Sequence, residues 1–301
     1  ECVMNLCRRI NQKVGVVFDI DGVILRGKQL LPGATRAVQS LQRNKIPFIF
    51  LTNGGSDFES SRSKYLSNLL QTPIDPQQIV LAHTPFRSLA SQYKDSRVLV
   101  LGERDCIHVA RDYGFARAIS PKHIHAANPA VYPFFEETSK LTDWNTVGDV
   151  RFAALEQDPV EAIFVFHDPT NWAPEIQICC DILAGGSPLG SGGTGQQAVP
   201  YVVANMDMVF AGEHPVSRIA AGTFTVALSA VYQQLTGRTL DVTKYGKPFP
   251  VQYDFAASTL EAVARAQGLP AGKFNAIFAI GDNPQSDIAG ANGAGHPWQS
   301  V

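Results

Sequence analysis

The sequence predicts an α/β protein built on an open parallel β-sheet. Short apolar runs of strand length alternate with segments whose apolar residues recur at helical spacing, and this alternation is typical of parallel strands joined by crossover helices. With 301 residues, of which 45% are hydrophobic, the chain is long enough to bury a substantial core and to divide into two domains. Strands are expected at about 14–19, 46–51, 97–101, 161–166, 200–203 and 275–280.

Helical spacing predicts the elements that connect these strands. A helix after the turn "LPG" carries Val38 and Leu41 on its apolar side and is expected to end near Asn44. Further amphipathic helices are expected near 58–70 and over about 250–267. Both have the pattern of helices that cover one face of a sheet.

Two segments lack strong periodicity. Residues 121–148 are rich in Pro, His and Asn, which predicts a loop with short elements. Residues 185–197, "GGSPLGSGGTGQQ", have low complexity. This run lacks the Lys-Ser/Thr ending of a nucleotide phosphate loop and no strand leads directly into it, so we expect a flexible loop.

Charge and cysteine content exclude several classes of protein. Charged residues make up 17% of the chain and the formal net charge is -2, which indicates neither a disordered chain nor a basic surface for nucleic acid. The five cysteines do not form an even-numbered set of the kind that pairs into a disulfide framework, and none of them shows CxxC spacing. We therefore expect a reducing compartment and no disulfides. No uninterrupted apolar run of about 18 residues occurs, so no membrane span is expected. The N-terminal "ECVMNLCRRINQKVG" has an Arg pair but no apolar signal core, and it leaves open whether a targeting segment was removed.

Polar residues follow three of the expected strands. The run "VVF" is followed by "DIDG", "IPFIFL" by "TNGG", and "FNAIFAI" by "GDNPQSD", while a lysine stands in the loop "KYGKPFP" before the last helix. The carboxyl ends of parallel strands meet at one edge of a sheet, and ligands bind in the crevice there. The residues expected to share this crevice are Asp19, Asp21, Thr52, Asn53, Gly54, Gly55, Lys247, Asp282 and Asp287.

This combination of residue types indicates a metal-assisted phosphate site. Clustered carboxylates repel one another unless a cation lies among them, and oxygen ligands that leave room for water suit Mg²⁺. A threonine hydroxyl, backbone N–H groups beside glycine and a lysine ammonium suit the oxygens of a phosphoryl group. The sequence therefore predicts Mg²⁺ as the cofactor and a phosphorylated small molecule as the substrate.

The four motifs, in the order D-x-D-G, a strand ending in Thr-Asn, Lys-Pro and G-D-x-x-x-x-D, resemble those of the haloacid dehalogenase superfamily of aspartate-nucleophile phosphatases. The insertion at about 84–241 lies where class IIA members of that superfamily carry an α/β cap. The stretches "LTNGG", "SSRSKYLSNLL" and "PYVVANMDMVF" resemble that class as well. The chain is similar in particular to the branch of cat eye syndrome critical region protein-like hydrolases, which are usually described as mitochondrial.

The resemblance implies a role for each acidic residue. Asp19 is expected to be the nucleophile and Asp21 the general acid and base. The Mg²⁺ ion would be held by the Asp19 carboxylate, the backbone carbonyl of Asp21 and the Asp282 carboxylate, with Asp287 supporting these ligands. A carboxylate is a serviceable nucleophile when a metal and a lysine offset the charge between it and the phosphate. A second carboxyl group two residues on can protonate the leaving oxygen and then take a proton from the attacking water.

The resemblance also implies which residues bind the transferring phosphoryl group. These are Thr52, Asn53 and Gly54 at the end of the second strand, together with Lys247, which would also offset the charge of the nucleophile.

The fold implied is a Rossmann-like parallel-sheet core, residues 1–83 and 242–301, interrupted by an α/β cap of the C2 type, residues 84–241. The implied activity is Mg²⁺-dependent hydrolysis of a small phosphate monoester, which the cap would shield from water. A phosphotransferase, or a binding protein of this fold with little turnover that is linked to phospholipid metabolism, stays open as an alternative. No nucleic-acid partner is expected and a homo-oligomer is compatible with the sequence; the location would be mitochondrial by resemblance, and otherwise intracellular and soluble.

Each motif residue also has an ordinary structural interpretation. Asp19 and Asp21 alone could form a strand-end turn, a calcium loop or the D-x-D of a glycosyltransferase, although "DIDGVILRGKQL" lacks the alternating oxygen ligands and closing Glu of a calcium loop. Lys247 alone could be a surface lysine, Asp287 a helix cap and Thr52 a turn residue. Their occurrence together, in this order, favours the catalytic interpretation.

Other residues with metal-binding or redox chemistry are expected to be structural. His123 and His125 lie in an expected loop with no Cys or acidic partner placed to complete a zinc set. At least one of Cys179 and Cys180 should face the core, without a redox role.

Asn205 and Asp207 resemble a class IIA loop at the end of a cap strand. Substrate contact and structural hydrogen bonding both stay open for this pair. The chain also ends at "GHPWQSV", where the family normally continues through further sheet and helix, so the final edge of the sheet is the least certain part of the expected fold.

Overall fold

A computed structural model describes residues 13–103, 105–134, 155, 157–193, 195–210 and 212–301. The chain divides into two compact units. The core unit comprises Glu1–Pro85, Phe210–Arg218 and Gly246–Val301, and the cap unit comprises Phe86–Val209 and Ile219–Tyr245. The predicted boundaries, 83/84 and 241/242, lie a few residues from these, and the sequence did not separate residues 210–218 from the rest of the insertion.

Strands and helices alternate along the described chain. The strands are β1 (Val14–Phe18), β2 (Leu25–Arg26), β3 (Gln29–Leu30), β4 (Phe48–Leu51), β5 (Ile79–Val80), β6 (Arg97–Leu101), β7 (Arg117–Ile119), β8 (Val160–Val165), β9 (Tyr201–Val203), β10 (Val209–Phe210), β11 (Arg218–Ile219), β12 (Val242–Lys244), β13 (Ala276–Ile280) and β14 (Trp298–Ser300). The α-helices are α1 (Ala34–Arg43), α2 (Glu59–Leu70), α3 (Cys106–Tyr113), α4 (Pro121–Ala127), α5 (Trp172–Ala184), α6 (Ala221–Thr236), α7 (Pro250–Ala266) and α8 (Ala289–Ala294). A π-helical turn spans Pro284–Ile288, and 3₁₀ turns span Pro76–Gln78, Thr84–Leu89 and Pro129–Val131.

The core unit contains a five-stranded sheet in the order β14-β13-β1-β4-β5, with every neighbouring pair parallel. The three strands that the sequence predicted for this unit are present, and α1 ends at the predicted cap residue Asn44. The sequence did not predict β5 and β14, because two or three residues are too few to show a strand pattern. Trp298–Ser300 forms an edge strand beside β13, at the place where the sheet edge was least certain.

Both faces of the core sheet are apolar because helices cover both of them. Phe48 and Phe50 in β4 point to one face, where α1 and α2 supply the packing side chains. Ile49 and Leu51 point to the other face, where they pack against α7. Each of these side chains is buried, and burial of a large apolar side chain contributes on the order of 2 kcal/mol. This doubly covered, parallel arrangement confirms the predicted fold class.

The cap unit has its own five-stranded parallel sheet, in the order β12-β9-β8-β6-β7. Side chains of its strand β8 also alternate between the two faces of the sheet. Ile163 and Val165 pack with α5 and α6, while Phe164 lies in an aromatic cluster with Phe86 and Phe115. The cap unit therefore has a core of its own and confirms the expected α/β insertion.

The Gly-rich segment differs from the flexible loop that its composition predicted. The N–H groups of Gly190 and Gly192 both donate to the Gly185 carbonyl oxygen, at 3.0 and 3.1 Å, and Leu189 packs against the cap core. A Cβ atom on Gly190 would lie 2.7 Å from Oδ1 of Asp181. Gly185, Gly186 and Gly190 thus serve tight turns and close packing, which composition alone does not distinguish from a linker.

His123, Cys179 and Cys180, which the sequence analysis considered for metal-binding or redox roles, lie in ordinary packed or hydrogen-bonded positions. His123 lies in helix α4, where the expectation was a loop, and its Nδ1 accepts a hydrogen bond from the Ser120 N–H at 3.0 Å. Burial, with the charge of Arg111, lowers the pKa of His123 to about 4, so it is neutral at physiological pH. Cys179 and Cys180 are both buried free thiols, which confirms that this pair faces the core.

Within the part of the chain that the structure describes, none of the helices has both the length and the apolar composition required to cross a bilayer.

Candidate active site

The carboxyl edge of the core sheet carries the predicted polar residues. Strand β1 pairs with β13 so that Phe18 is opposite Ile280, and with β4 so that Phe18 is opposite Phe50. The N–H of the next residue, Asp19, continues the ladder by donating to the Ile280 carbonyl oxygen at 2.8 Å. This register brings the residues that follow three central strands to one edge, as the sequence predicted.

Lys247 lies at the centre of the site, between two carboxylates. Its ammonium nitrogen is 2.6 Å from Oδ1 of Asp19 and 2.5 Å from Oδ1 of Asp287, and it donates a third hydrogen bond to the Leu51 carbonyl oxygen at 3.1 Å. Only 3% of Lys247, 7% of Asp19 and 6% of Asp287 is exposed to solvent. The surface-lysine interpretation of Lys247 is therefore excluded for this structure.

Burial and ion pairing shift the pKa values of Lys247 and Asp19 in opposite directions. Desolvation lowers the pKa of Lys247, but the charges of Asp19 and Asp287 and their hydrogen bonds outweigh it, so the pKa lies above its usual value and the ammonium stays charged. Burial raises the pKa of Asp19 to about 7, although the Lys247 charge acts in the opposite direction. One lysine thus offsets only part of the cost of burying two carboxylates.

A third carboxylate joins these two. Oxygen atoms of Asp19, Asp282 and Asp287 lie within 4.8 Å of one another, and Asp282 is on the exposed side of the group. Burial and the charge of Asp287 raise the pKa of Asp282. Three converging oxygen donors with one open side fit a hard divalent cation, and a cation there would offset the burial and the repulsion that raise the pKa values of Asp19 and Asp282.

Two glycines allow the acidic residues to approach so closely. Gly22 has φ +99°, and a Cβ atom at that position would overlap the Asp282 carboxylate. A Cβ atom on Gly281 would likewise overlap the Asp287 side chain. The glycines in D-x-D-G and G-D are therefore required by packing of the acidic cluster, a role that the sequence analysis did not identify.

Asp21 is not one of the three clustered carboxylates, although its charge acts on Asp19 and Asp282. It is exposed, and its backbone forms an isolated bridge to Leu25 as the chain turns into β2. A Cβ atom on Gly54 would lie 3.4 Å from Oδ2 of Asp21, so this carboxylate faces the loop after β4. An exposed carboxyl group, unlike the buried Asp19 carboxylate, can exchange protons with solvent.

The side chains of the loop after β4 form hydrogen bonds with main-chain groups of the protein. The Thr52 hydroxyl accepts a hydrogen bond from the Gly54 N–H at 2.9 Å. The Asn53 amide is hydrogen-bonded to the main chain of Lys247 in both directions, at 2.9 and 2.7 Å. The sequence predicted Asn53 as a phosphate ligand, and in the structure its carboxamide is hydrogen-bonded to the main chain of Lys247.

Asp287 lies in the π-helical turn Pro284–Ile288 and does more than cap a helix. Its Oδ2 accepts the Asn283 N–H at 3.1 Å while its Oδ1 accepts from Lys247. The main-chain carbonyl oxygen of Asp287 accepts a hydrogen bond from the buried Tyr253 hydroxyl at 3.0 Å. The sequence analysis missed Tyr253, because nothing in the helical pattern of α7 distinguishes it from an ordinary core residue.

Asn205 and Asp207 in the cap unit make local hydrogen bonds. Oδ1 of Asn205 accepts the Asp207 N–H at 2.7 Å, and the Asp207 carbonyl oxygen accepts the Gly222 N–H at 2.9 Å. These contacts support the structural interpretation of Asn205.

Comparison with known families independently supports the resemblance to haloacid dehalogenase-like hydrolases. A family model described as haloacid dehalogenase-like hydrolase matches residues 16–116, and a HAD-hydrolase-like model matches residues 244–301. The first range contains Asp19, Asp21 and Thr52, and the second contains Lys247 and Asp282.

Two curated relatives match most of this chain, and a third matches about a third of it. A mitochondrial hydrolase of Saccharomyces cerevisiae is 34% identical over 96% of this chain and 86% of its own length. A cardiolipin synthase (CMP-forming) and mitochondrial hydrolase fusion protein of Schizosaccharomyces pombe is 36% identical over 94% of this chain, which spans 47% of that protein. A sugar-phosphatase of Bacillus subtilis is 34% identical over 36% of this chain and 40% of its own length.

Solved structures share the fold at low sequence identity. A hypothetical protein from Pyrococcus horikoshii has a TM-score of 0.65 and 18% identity, over 94% of this chain and 85% of that one. A glycerol phosphate phosphatase from Mycobacterium tuberculosis, in complex with magnesium, has a TM-score of 0.60 and 22% identity, over 96% of this chain and 67% of that one. At these identities the likeness shows the fold.

Proposed function

The chain belongs to the haloacid dehalogenase-like hydrolases, and from this premise we propose that it is a Mg²⁺-dependent phosphatase that hydrolyses a small phosphate monoester through an aspartyl-phosphate on Asp19. The observation that carries the proposal is the Lys247 ammonium, held 2.6 Å from Asp19 and 2.5 Å from Asp287 within a cluster of three carboxylates. This group supplies a nucleophile, a fixed positive charge and a set of cation ligands at one sheet edge.

In the proposed first step, a carboxylate oxygen of Asp19 attacks phosphorus. The new bond joins Asp19 to the phosphoryl group, and the bond from phosphorus to the ester oxygen breaks. Asp21 gives its proton to that oxygen, so the alcohol leaves neutral. Lys247 orients the nucleophile and offsets negative charge on the phosphoryl oxygens.

In the second step, water attacks phosphorus and Asp21 takes its proton. The bond between Asp19 and phosphorus breaks, which releases inorganic phosphate and restores both carboxyl groups. The Thr52 hydroxyl and the N–H groups of the loop that follows it would bind the phosphoryl oxygens in both steps.

Asp19, Asp282 and the Asp21 carbonyl would hold the Mg²⁺ ion, with Asp287 in support. When bound, the ion would neutralise charge between the carboxylate nucleophile and the phosphate. Support for this assignment comes from the three converging carboxylates and from the burial that raises the pKa of Asp19 to about 7, a cost that a bound cation would lower.

The substrate class proposed is a small phosphorylated polyol or sugar. One relative of the chain is named a sugar-phosphatase, and one protein of the same fold is named a glycerol phosphate phosphatase. We further propose a mitochondrial location, because the names of two relatives include that location.

One observation favours a second candidate function. A relative carries this hydrolase fused to a cardiolipin synthase, which is compatible with a binding protein that works beside a phospholipid-synthesising enzyme and turns over little substrate. The Lys247 and Asp19 pair, intact and buried, favours the enzyme.

A screen of small phosphate monoesters tests the proposal. Phosphate release is measured with Mg²⁺ and with a chelator, for the wild type and for Asp19→Asn. We expect Mg²⁺-dependent release by the wild type alone. No release from any monoester would favour the binding protein, and phosphate transfer to an added alcohol in place of water would indicate a phosphotransferase.

A further inference from the structure

The side chain of Asn53 forms two hydrogen bonds with the main chain of a single residue, Lys247, on a distant part of the chain. Its Nδ2 donates to the Lys247 carbonyl oxygen at 2.9 Å, and its Oδ1 accepts the Lys247 N–H at 2.7 Å. Both residues are buried. The carboxamide thus pairs with the main chain of residue 247 much as a neighbouring strand would, and water does not compete for these bonds.

The end of strand β4 and the loop that follows it therefore hold Lys247 at two points. Asn53 contacts its main chain, and the carbonyl oxygen of Leu51, the last residue of β4, accepts a hydrogen bond from its ammonium nitrogen at 3.1 Å. A lysine has a flexible four-carbon stem, so the position of its ammonium depends on where its main chain is anchored. Fixing both ends leaves the stem little freedom to move the charge.

We infer that Asn53 is a positioning residue, whose carboxamide sets the main chain of Lys247 and through it the point at which the ammonium meets Asp19. The inference rests on the proposed function, and it changes the role of Asn53 from phosphate ligand to support for the residue that binds phosphate. Supporting hydrogen bonds of this kind hold a functional side chain to within a fraction of an ångström. Displacement of such a group by about 1 Å can lower a rate about 100-fold.

The chemistry of the carboxamide makes the assignment testable. Aspartate has nearly the same shape and can still accept the Lys247 N–H, but it cannot donate, and its second oxygen would face the Lys247 carbonyl oxygen. Alanine removes both bonds. Asn275 offers a matched control: its Oδ1 also accepts a lysine N–H, that of Lys13, at 2.9 Å, and it lies at the opposite, amino end of β13.

The first arm of the test is a double-mutant cycle on kcat/KM with an aryl phosphate. We expect Asn53→Ala and Asn53→Asp each to lower kcat by about 10- to 100-fold with a smaller change in KM. In a Lys247→Ala background, Asn53→Ala should change the residual rate by less than about twofold, because Asn53 acts through Lys247. Additive losses would mean that the carboxamide touches the phosphoryl group, and would overturn the inference. Asn275→Ala should leave kcat/KM unchanged.

The second arm measures hydrogen exchange without substrate. In Asn53→Ala, the amide of Lys247 should exchange at least about tenfold faster than in the wild type, whereas in Asn275→Ala it should not change. Unchanged exchange at Lys247 would overturn the inference even if activity falls. This arm decides the role of Asn53 even when the wild type hydrolyses nothing, a result that would instead contradict the proposed function. If Asn53→Ala fails to fold, Asn53→Ser carries both arms and Asn53→Asp carries the kinetic arm.

Discussion

The hydroxyl of Tyr253 lies 3.0 Å from the main-chain carbonyl oxygen of Asp287, to which it donates a hydrogen bond. It is also 3.1 Å from the carbonyl oxygen of Ser286. Tyr253 is almost fully buried on helix α7, which begins three residues after Lys247. The helix that follows the lysine thus also supports the turn that carries the second carboxylate partner of that lysine.

Replacing Tyr253 with Phe should lower both activity and stability. The ring would stay in place, but the one hydroxyl hydrogen shared between the Ser286 and Asp287 carbonyl oxygens would be lost, at a cost of about 1–3 kcal/mol of unfolding free energy. Because the Asp287 turn would be held less firmly, we expect kcat/KM to fall by about tenfold. Urea unfolding and steady-state kinetics measure the two effects. Tyr65→Phe, on the surface of α2, is the control; equal kcat/KM in both variants would show that the turn holds its position without the Tyr253 hydroxyl.

Replacing Asp282 with Ala should weaken metal binding. The change removes one of three converging oxygen donors, so a higher Mg²⁺ concentration should be required for half-maximal activity, by at least about tenfold. Activity against Mg²⁺ concentration and calorimetric Mg²⁺ titration give independent readouts. Asp254→Ala, an exposed carboxylate on α7, is the matched control. Curves that superimpose for Asp282→Ala and the wild type would remove Asp282 from the ligand set.

Asp19→Asn and Asp21→Asn should fail in different ways. An amide is a poor nucleophile, so Asp19→Asn should abolish phosphoenzyme formation. Asp21→Asn should lose acid and base assistance, which is worth roughly 10² to 10⁴ in rate. With an aryl phosphate whose phenol leaves without help, this variant should release a burst of phenol and retain the phosphoryl group on Asp19.

Rapid-quench mass spectrometry detects that retained phosphate as an added mass. A variant with neither burst nor adduct, beside a wild type that turns over normally, would show that Asp21 is needed to assemble the site. Its assignment as acid and base would then be withdrawn.

Glu175 predicts a pH dependence of stability in the cap unit. Burial raises its pKa to about 7 from the usual 4.5, against the opposing hydrogen bond from the Asn171 N–H. Between these two pH values the folded state binds more protons than the unfolded state, so the unfolding free energy falls as pH rises and then levels off above pH 7. The loss at pH 8 should be at most about 3 kcal/mol.

Glu175→Gln should therefore stabilise the protein at pH 8 and change little at pH 5, since an amide oxygen can still accept the Asn171 N–H. Urea unfolding at the two pH values measures the difference. Glu161→Gln makes the same chemical change at an exposed strand position and should show no such pH dependence. A Glu175→Gln variant without added stability at pH 8 would mean that folding does not raise the pKa of Glu175.

The sequence by itself determined the fold class and the types of side chain at the carboxyl edge of the core sheet. Strand length and apolar period are local properties, so the predicted strands appear within two residues of their predicted ends. The parallel order follows from the alternation with helices, and it places Asp19, Thr52 and Asp282 at one edge without further information. The acidic, hydroxyl and lysine residues could therefore be predicted to share one candidate site before any distance was known.

Only the tertiary structure decided which of these groups touch. The double hydrogen bond between Asn53 and Lys247 joins residues 194 positions apart, and no local pattern encodes it. Tyr253 looks like any aromatic residue on a helix until the π-helical turn folds against it. From the sequence, Gly22 is expected only to form a turn. In the structure it also leaves room for the Asp282 carboxylate. Periodicity reports which face of an element is buried, whereas hydrogen-bond partners depend on how the elements pack, and packing is a property of the whole fold.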